Sequence, residues 1–424
     1  DPSFAMVRFL VATRDGATQD PPDAGGAMRA MMELLLRGTR RASRPQFNGA
    51  LEALGSAVET TAGHELAYVS GVALARHLEP TVALVGEALC EPALAEQELR
   101  PLTEETIESL RAERDDDDAV ADIFLRRALY PAHPLGRSPA GSVPELEALT
   151  VEHVRAAHRR LAAPELIIGM AGAVTVPQAE ALFAPVMSRL DRAAPPVAPV
   201  PPAPRRQGLH IVVVDKPDRT QVQLRVARLS LDGRHPDLDA FWLGITAFGG
   251  TFTSPLTRAV RDERGWSYVA HADFRRRSLY PSPVVLRSAP ALEDAVNCLE
   301  LELELLRDLA DGKLSPAAVE LSRDYLLNRT PFETATSYDL LAPAVTGELL
   351  GLPRERLWNT AERLAAIDLD AVPGIVARHM PYDGLLALLV APAAAVVPAL
   401  EGRFPDAHMT VVDFREGLGL NDSP

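Results

Sequence analysis

Residues 249–274 read GGTFTSPLTRAVRDERGWSYVAHADF, and the fold and the candidate chemistry both turn on this window. Ser254 followed by Pro255 has the form of a helix start, with a side-chain oxygen to cap free N–H groups and a proline where its missing N–H costs nothing. Thr257 to Glu263 continue that helix, and Gly265 ends it, because glycine takes the left-handed cap conformation without strain. Trp266–Phe274 then has strand character, which puts Tyr268, Ala270 and Ala272 on one face and leaves the phenol on a surface of small residues. Arg261 and Tyr268, seven residues apart, both donate hydrogen bonds, which suits them to hold a peptide carbonyl and the oxyanion that forms on it. Neither activates water at neutral pH. Taken alone, Arg261 also reads as part of a solvated helix face and Tyr268 as core.

Outward from this window, the chain divides at residues 193–207, AAPPVAPVPPAPRRQ, a proline-rich stretch that suits an extended linker and neither a helix nor a central strand. The expected bodies are residues 1–192 and 208–424. Both follow one plan. Helix-rich stretches at 80–130 and 293–345 precede matching endings, LTVEHVRAAHRRLAAPELIIGMAGAV at 149–174 and IDLDAVPGIVARHMPYDGLLALLVAP at 367–392, each a helix, a turn with proline and an apolar strand. Phe4–Ala12, His210–Val214 and Val222–Leu231 supply strands at the start of each half. The fold class is therefore α+β, with two homologous domains produced by internal duplication, each a mainly antiparallel sheet packed with helices.

The window resembles the signature of the pitrilysin/insulinase family of zinc metallopeptidases, in which an arginine on a helix and a tyrosine beyond a glycine turn are also seven residues apart. The resemblance covers almost the whole chain and is strongest at 24–39, 107–174 and 241–274. YPAHPLG at 130–136, with His133, is similar to a structural loop of the family. The family pattern begins with one further strand before Phe4, which implies an N-terminal truncation. It also implies a zinc site, built from a His-x-x-Glu-His helix and a more distant glutamate. Here Gly26–Thr39 reads GAMRAMMELLLRGT, so that Arg29, Met32 and Glu33 occupy the His, Glu and His positions, while IESLR at 107–111 offers Glu108 and Ser109 for the third ligand. The zinc motif is degenerate. Met32 reads as core and Arg29 as a solvated or interface charge.

No other chemistry stands out. His153 and His158 are five apart and point away from a common ion on a helix. HExxH, HxxEH, GxSxG, the phosphate-binding loop and GxGxxG are all absent, and Cys90 and Cys298 stand alone as small hydrophobes. The net charge of −15 argues against a nucleic-acid partner, and no apolar run is long enough to span a bilayer. Lys216 and Lys313 are the only lysines among 43 basic residues, a bias read as that of a GC-rich bacterial genome.

The resemblance implies a noncatalytic subunit of a two-chain bacterial peptidase. This chain would carry no cofactor, zinc would sit in a homologous partner bearing His-x-x-Glu-His, and Arg261 and Tyr268 would act in trans on unstructured peptides. A heterodimer with that partner is the expected form, with homodimers one alternative when the partner is absent. The compartment is read as periplasmic or cytoplasmic, any leader lying outside the sequence. The alternative is a chain without chemistry that serves assembly or peptide binding, like the core proteins of the respiratory bc1 complex.

Overall fold

The computed structural model describes residues 5–161, 166–190 and 198–418. The first five residues of the proline-rich connector, 193–197, and Phe4 of the expected first strand lie outside the described residues. The chain forms two compact units, and neither is continuous in sequence. Residues 1–110, 137–200 and 332–357 make the first; residues 111–136, 201–331 and 358–424 make the second.

The first unit carries a four-stranded antiparallel sheet of β1 (Met6–Thr13), β2 (Ala57–Ala62), β3 (Ala67–Leu74) and β4 (Leu166–Gly172), in the order β2-β3-β1-β4. Alternation along β1 sends Phe9 to one face, where its ring meets Phe183 edge-on at 6.1 Å, and Leu10 and Ala12 to the other. Phe9 also lies flat over Gly71 of β3: a Cβ there would stand 2.1 Å from the ring, so glycine is what lets the ring pack. Leu10 and Ala12 are covered by Val345 and Leu349 of the Ser337–Leu349 helix, a segment of the C-terminal half of the sequence.

The second unit repeats this arrangement and extends it. Its strands are β5 (Leu209–Asp215), β6 (Gln223–Leu229), β7 (Ala270–Phe274), β8 (Pro283–Ser288), β9 (Leu385–Ala391) and β10 (His408–Asp413), in the order β10-β5-β9-β6-β8-β7. The run β7-β8-β6-β9 matches β2-β3-β1-β4 and is antiparallel, whereas β5 is parallel to both β9 and β10. One face of the sheet presents Leu224, Val226, Leu286, Ala387 and Leu389 to the helices Leu238–Gly249, Ala295–Ala310 and Val372–His379. The opposite face is covered by the Asp117–Leu129 helix, which comes from the N-terminal half of the sequence. Arg225, almost fully buried on that face, pairs with Asp118 and, at 3.3 Å, with Asp122; Arg287 reaches Asp122 at 2.6 Å.

The division of the chain therefore differs from one cut at the connector. The connector separates the strands, β1–β4 before it and β5–β10 after it, but each half also provides one helix to the other half's sheet. The cause is burial, because each sheet has two apolar faces and its own half covers only one.

Around the start of the Ala27–Leu34 helix a buried ionic group forms. The Asp20 carboxylate accepts the Met28 N–H at 3.1 Å, and Arg160 donates to Asp15 at 3.0 Å and to Asp20 at 3.2 Å. Burial pushes both carboxyls up to about 6, with Arg160 opposing it.

Candidate functional site

Arg261 and Tyr268 are brought together by a turn that departs from a regular helix. The Pro255–Thr257 helical turn widens into a π-helical segment, Arg258–Glu263. Ser254 does not cap it; the Ser254 hydroxyl donates instead to Thr251 O at 2.7 Å. The segment closes at Gly265, whose φ of +68° requires the left-handed region, and Trp266 N–H reaches back to Val260 O at 3.1 Å. Segments of this kind carry one extra residue per turn and are frequent at functional sites.

The strand begins at Ala270, not Trp266, so Tyr268 sits in the bend before β7. Ala270 and Ala272 point into the core, whereas Tyr268 is 79% exposed and does not share their face. Core burial of Tyr268 is excluded. The bend is held by Ser267, whose hydroxyl accepts Ala289 N–H at 2.8 Å, and by Thr257, whose hydroxyl lies 2.7 Å from Ala270 O. Arg261 lies over the Tyr268 ring with its guanidinium carbon 4.6 Å from the ring centre, and over Phe252, itself 77% exposed, at 5.4 Å. The cation is thus flanked by two aromatic rings, each attracted to it by its quadrupole. Phe252 was not legible as part of the site, since nothing in GGTFTSP sets it apart from an ordinary turn residue. What the arrangement offers chemically is a phenol and a guanidinium at the surface, both donors.

The counterparts of a zinc site do not fit a metal. Arg29 and Glu33, four apart on the Ala27–Leu34 helix, pair with each other at 2.9 Å, which places a cation where a ligand would stand and occupies the carboxylate. Met32 is 1% exposed and belongs to the core. Glu108 and Ser109 lie on the exposed face of the Glu96–Glu113 helix. Zinc requires several thiolate, imidazole or carboxylate donors, and this set has a guanidinium, a thioether, a paired carboxylate and a hydroxyl.

The histidines hold the fold. His158 bonds Leu89 O at 2.8 Å, and His133 bonds Pro201 O at 2.8 Å while accepting Leu135 N–H at 3.1 Å. One cluster was not foreseen: the donor atoms of His235, Asp237 and His379 lie within 4.8 Å of one another. His235 Nδ1 accepts the Asp237 N–H at 3.1 Å, and one Asp237 oxygen takes both His379 at 2.8 Å and Arg378 at 3.3 Å. The His379 hydrogen bond, helped by the neighbouring charges, holds Asp237 below the usual carboxylate range. These bonds join the start of the Leu238–Gly249 helix to the end of the Val372–His379 helix. The only sequence signal was the HPD triplet at 235–237, whose partner lies 142 residues away.

Residues 148–326, which include Arg261 and Tyr268, match the family model described as the peptidase M16 inactive domain. An uncharacterized zinc protease of Streptomyces coelicolor is 27% identical over 280 residues, which is 64% of this chain and 60% of that protein, so the match spans three fifths of the relative's length. Among solved structures, the peptidase M16 inactive domain from Pseudomonas fluorescens superposes with a TM-score of 0.85 at 20% identity, over 92% of this chain and 94% of that one. A chain of complex III2 from Candida albicans, bound to Inz-5, superposes at 0.76 with 13% identity, over 96% of each. No helix among the described residues is long and apolar enough to cross a membrane. With the Arg261–Tyr268 window inside the matched domain and the repeated sheet-and-helix units around it, the chain is similar to the pitrilysin/insulinase, or M16, family of peptidases.

Proposed function

We propose that this chain is the noncatalytic subunit of a heterodimeric zinc peptidase, lending Arg261 and Tyr268 to a homologous partner that carries His-x-x-Glu-His and the zinc. The observation that carries this reading is the exposed Arg261–Tyr268 stack: an aromatic ring left 79% open to solvent, with a guanidinium held against it, is poised to act on something outside this unit. The donor set at Arg29, Met32, Glu33 and Ser109 supports the division of labour, since it leaves this chain without a water-activating metal of its own. In the partner's site the two donors would fix the scissile carbonyl of an unstructured peptide and stabilise the developing oxyanion.

The test is the complex reconstituted with the zinc-bearing subunit. Tyr268→Phe removes one hydroxyl and keeps the ring beside Arg261, so kcat should fall roughly a hundred- to a thousandfold, as for the loss of one oxyanion donor, with zinc content and subunit affinity unchanged. Full activity of both Tyr268→Phe and Arg261→Ala would favour the second reading, an assembly or peptide-binding homologue, which the likeness to a complex III2 chain supports.

A further inference from the structure

Asp237 stands at the start of the Leu238–Gly249 helix, where an aspartate ordinarily accepts an N–H of the first turn. It does not cap this helix. The carboxylate turns instead toward the end of the Val372–His379 helix, and both of its side-chain partners, His379 at 2.8 Å and Arg378 at 3.3 Å, fall on Oδ2 and neither on Oδ1. His235 joins them from the turn before the helix, its ring edge-on to that of His379 with centres 4.7 Å apart. One donor atom from each of His235, Asp237 and His379 thus lies within 4.8 Å of the others, and all three residues are half-buried.

The backbone fixes this meeting. The turn that carries His235 is closed by the Leu238 N–H on His235 O at 3.2 Å and by the Arg234 N–H on Asp232 at 2.7 Å. His379 is held by β6 and the residue after it, because its carbonyl accepts Arg228 at 3.2 Å and Ser230 at 3.1 Å. The three donors are therefore placed before any ligand arrives.

Two imidazoles and a carboxylate suit zinc and its neighbours cobalt and nickel, whereas calcium and magnesium need oxygen donors. Around a tetrahedral ion with bonds of about 2.1 Å, donors stand about 3.4 Å apart. His379 and Asp237 would open slightly from 2.8 Å, and His235 would close from no more than 4.8 Å, movements within the reach of side-chain rotation. What the ion displaces is modest. The proton that His379 gives Asp237 moves to the other ring nitrogen, His235 releases the Asp237 N–H held at 3.1 Å, and Arg378, whose side chain is 67% exposed, swings into water.

We propose that His235, Asp237 and His379 form a binding site for one divalent ion of the zinc class, which clips the two helices together. The Leu238–Gly249 helix, 12 residues and so roughly 18 Å long, leads from this cluster to the turn of Phe252, which sets the ion's role apart from the chemistry at Arg261 and Tyr268. The site does not depend on the function proposed above.

The test uses the full chain, purified without a histidine tag and stripped by a chelator, in equilibrium dialysis against Zn²⁺, with Co²⁺ as a spectroscopic probe. One Zn²⁺ per chain should be retained, and Co²⁺ should develop the strong visible bands of a site with few ligands. Zn²⁺ at a hundred times its Kd should raise the thermal midpoint of the second unit by about 5–10 °C, read from its tryptophans. His379→Gln keeps a donor for Asp237 and so preserves the link between the helices while removing a ligand. Affinity should fall roughly a hundredfold or more, beyond the loss typical of a residue that only supports a ligand. Arg378→Gln, a surface change that removes a competing positive charge, should tighten binding severalfold. His408→Gln, at a second pair of histidines, His210 and His408 with ring centres 4.7 Å apart, should change nothing. No retained ion, an affinity that survives His379→Gln, one that Arg378→Gln weakens, or one lost in His408→Gln would overturn the site.

Discussion

Asp15 and Asp20 give the first unit an unusual response to pH. Each carboxyl moves from 3.8 to about 6 on folding, because burial outweighs the Arg160 guanidinium that the two share. A raised folded-state value means that the folded protein binds the proton more tightly than the unfolded chain. The resulting stabilisation is complete below pH 3.8 and is lost as the pH climbs through 6. At 1.36 kcal/mol per unit, the shift of Asp15 corresponds to about 3 kcal/mol lost between pH 4 and pH 7.5. Asp15→Asn keeps an oxygen for Arg160 and removes the titration. The variant should therefore gain on the natural chain by about 3 kcal/mol over that range, and carboxylates distant from Asp15 and Asp20 cancel in the double difference. The tryptophans, 242, 266 and 358, all belong to the second unit, so fluorescence would follow the wrong part of the molecule. Hydrogen exchange of residues 6–13 and 27–34, corrected for the intrinsic pH dependence, reads the right one. A free-energy difference between natural chain and Asp15→Asn that is the same at pH 4 and pH 7.5 would show that the buried carboxyl does not hold its proton and would refute the reasoning.

Two further outcomes follow from burial. Met32→Ala should destabilise the first unit by about 2–5 kcal/mol, seen as a lower midpoint in thermal unfolding, because Met32 is core and its removal leaves a cavity; an unchanged midpoint would mean that the side chain faces solvent, as at a metal site. Cys298 lies fully buried beside Glu302, and burial pushes its thiol well above the ordinary range, so it should react with a thiol reagent at pH 8 no faster than the unit opens, while chain unfolded in guanidinium gives two reactive thiols.

How far the sequence could be read depended on the range of the interactions involved. Strands whose apolar pattern is local, such as β1, β5 and β9, were legible to within a few residues, and the spacing of Arg261 and Tyr268 survived because seven residues and one glycine limit where the two can go. The π-helical widening was not legible, since Leu256, Val260 and Glu263 satisfy a regular helical period equally well. Tyr268 was placed on the strand because tyrosine and valine favour strands, but the hydrogen bond from Ala289 N–H to Ser267 holds the chain in a bend there. The flanking of Arg261 by Phe252 and the meeting of His235 with His379 rest on side-chain placement that no periodicity encodes. Which sheet the helices 117–129 and 337–349 cover was equally hidden, because an amphipathic pattern states that a face is buried without naming what buries it.

That crossing of helices has a consequence during synthesis. The sheet of β1–β4 is complete once β4 leaves the ribosome, yet its Leu10 and Ala12 face stays bare until residues 337–349 emerge, while the 117–129 helix waits for β6 and β9 before it has anything to cover. The N-terminal half is therefore a sticky nascent chain for well over a hundred codons, of the kind that recruits chaperones. For the same reason a gene cut at the proline-rich connector would yield two insoluble products when expressed separately and a recoverable protein when the fragments are made together.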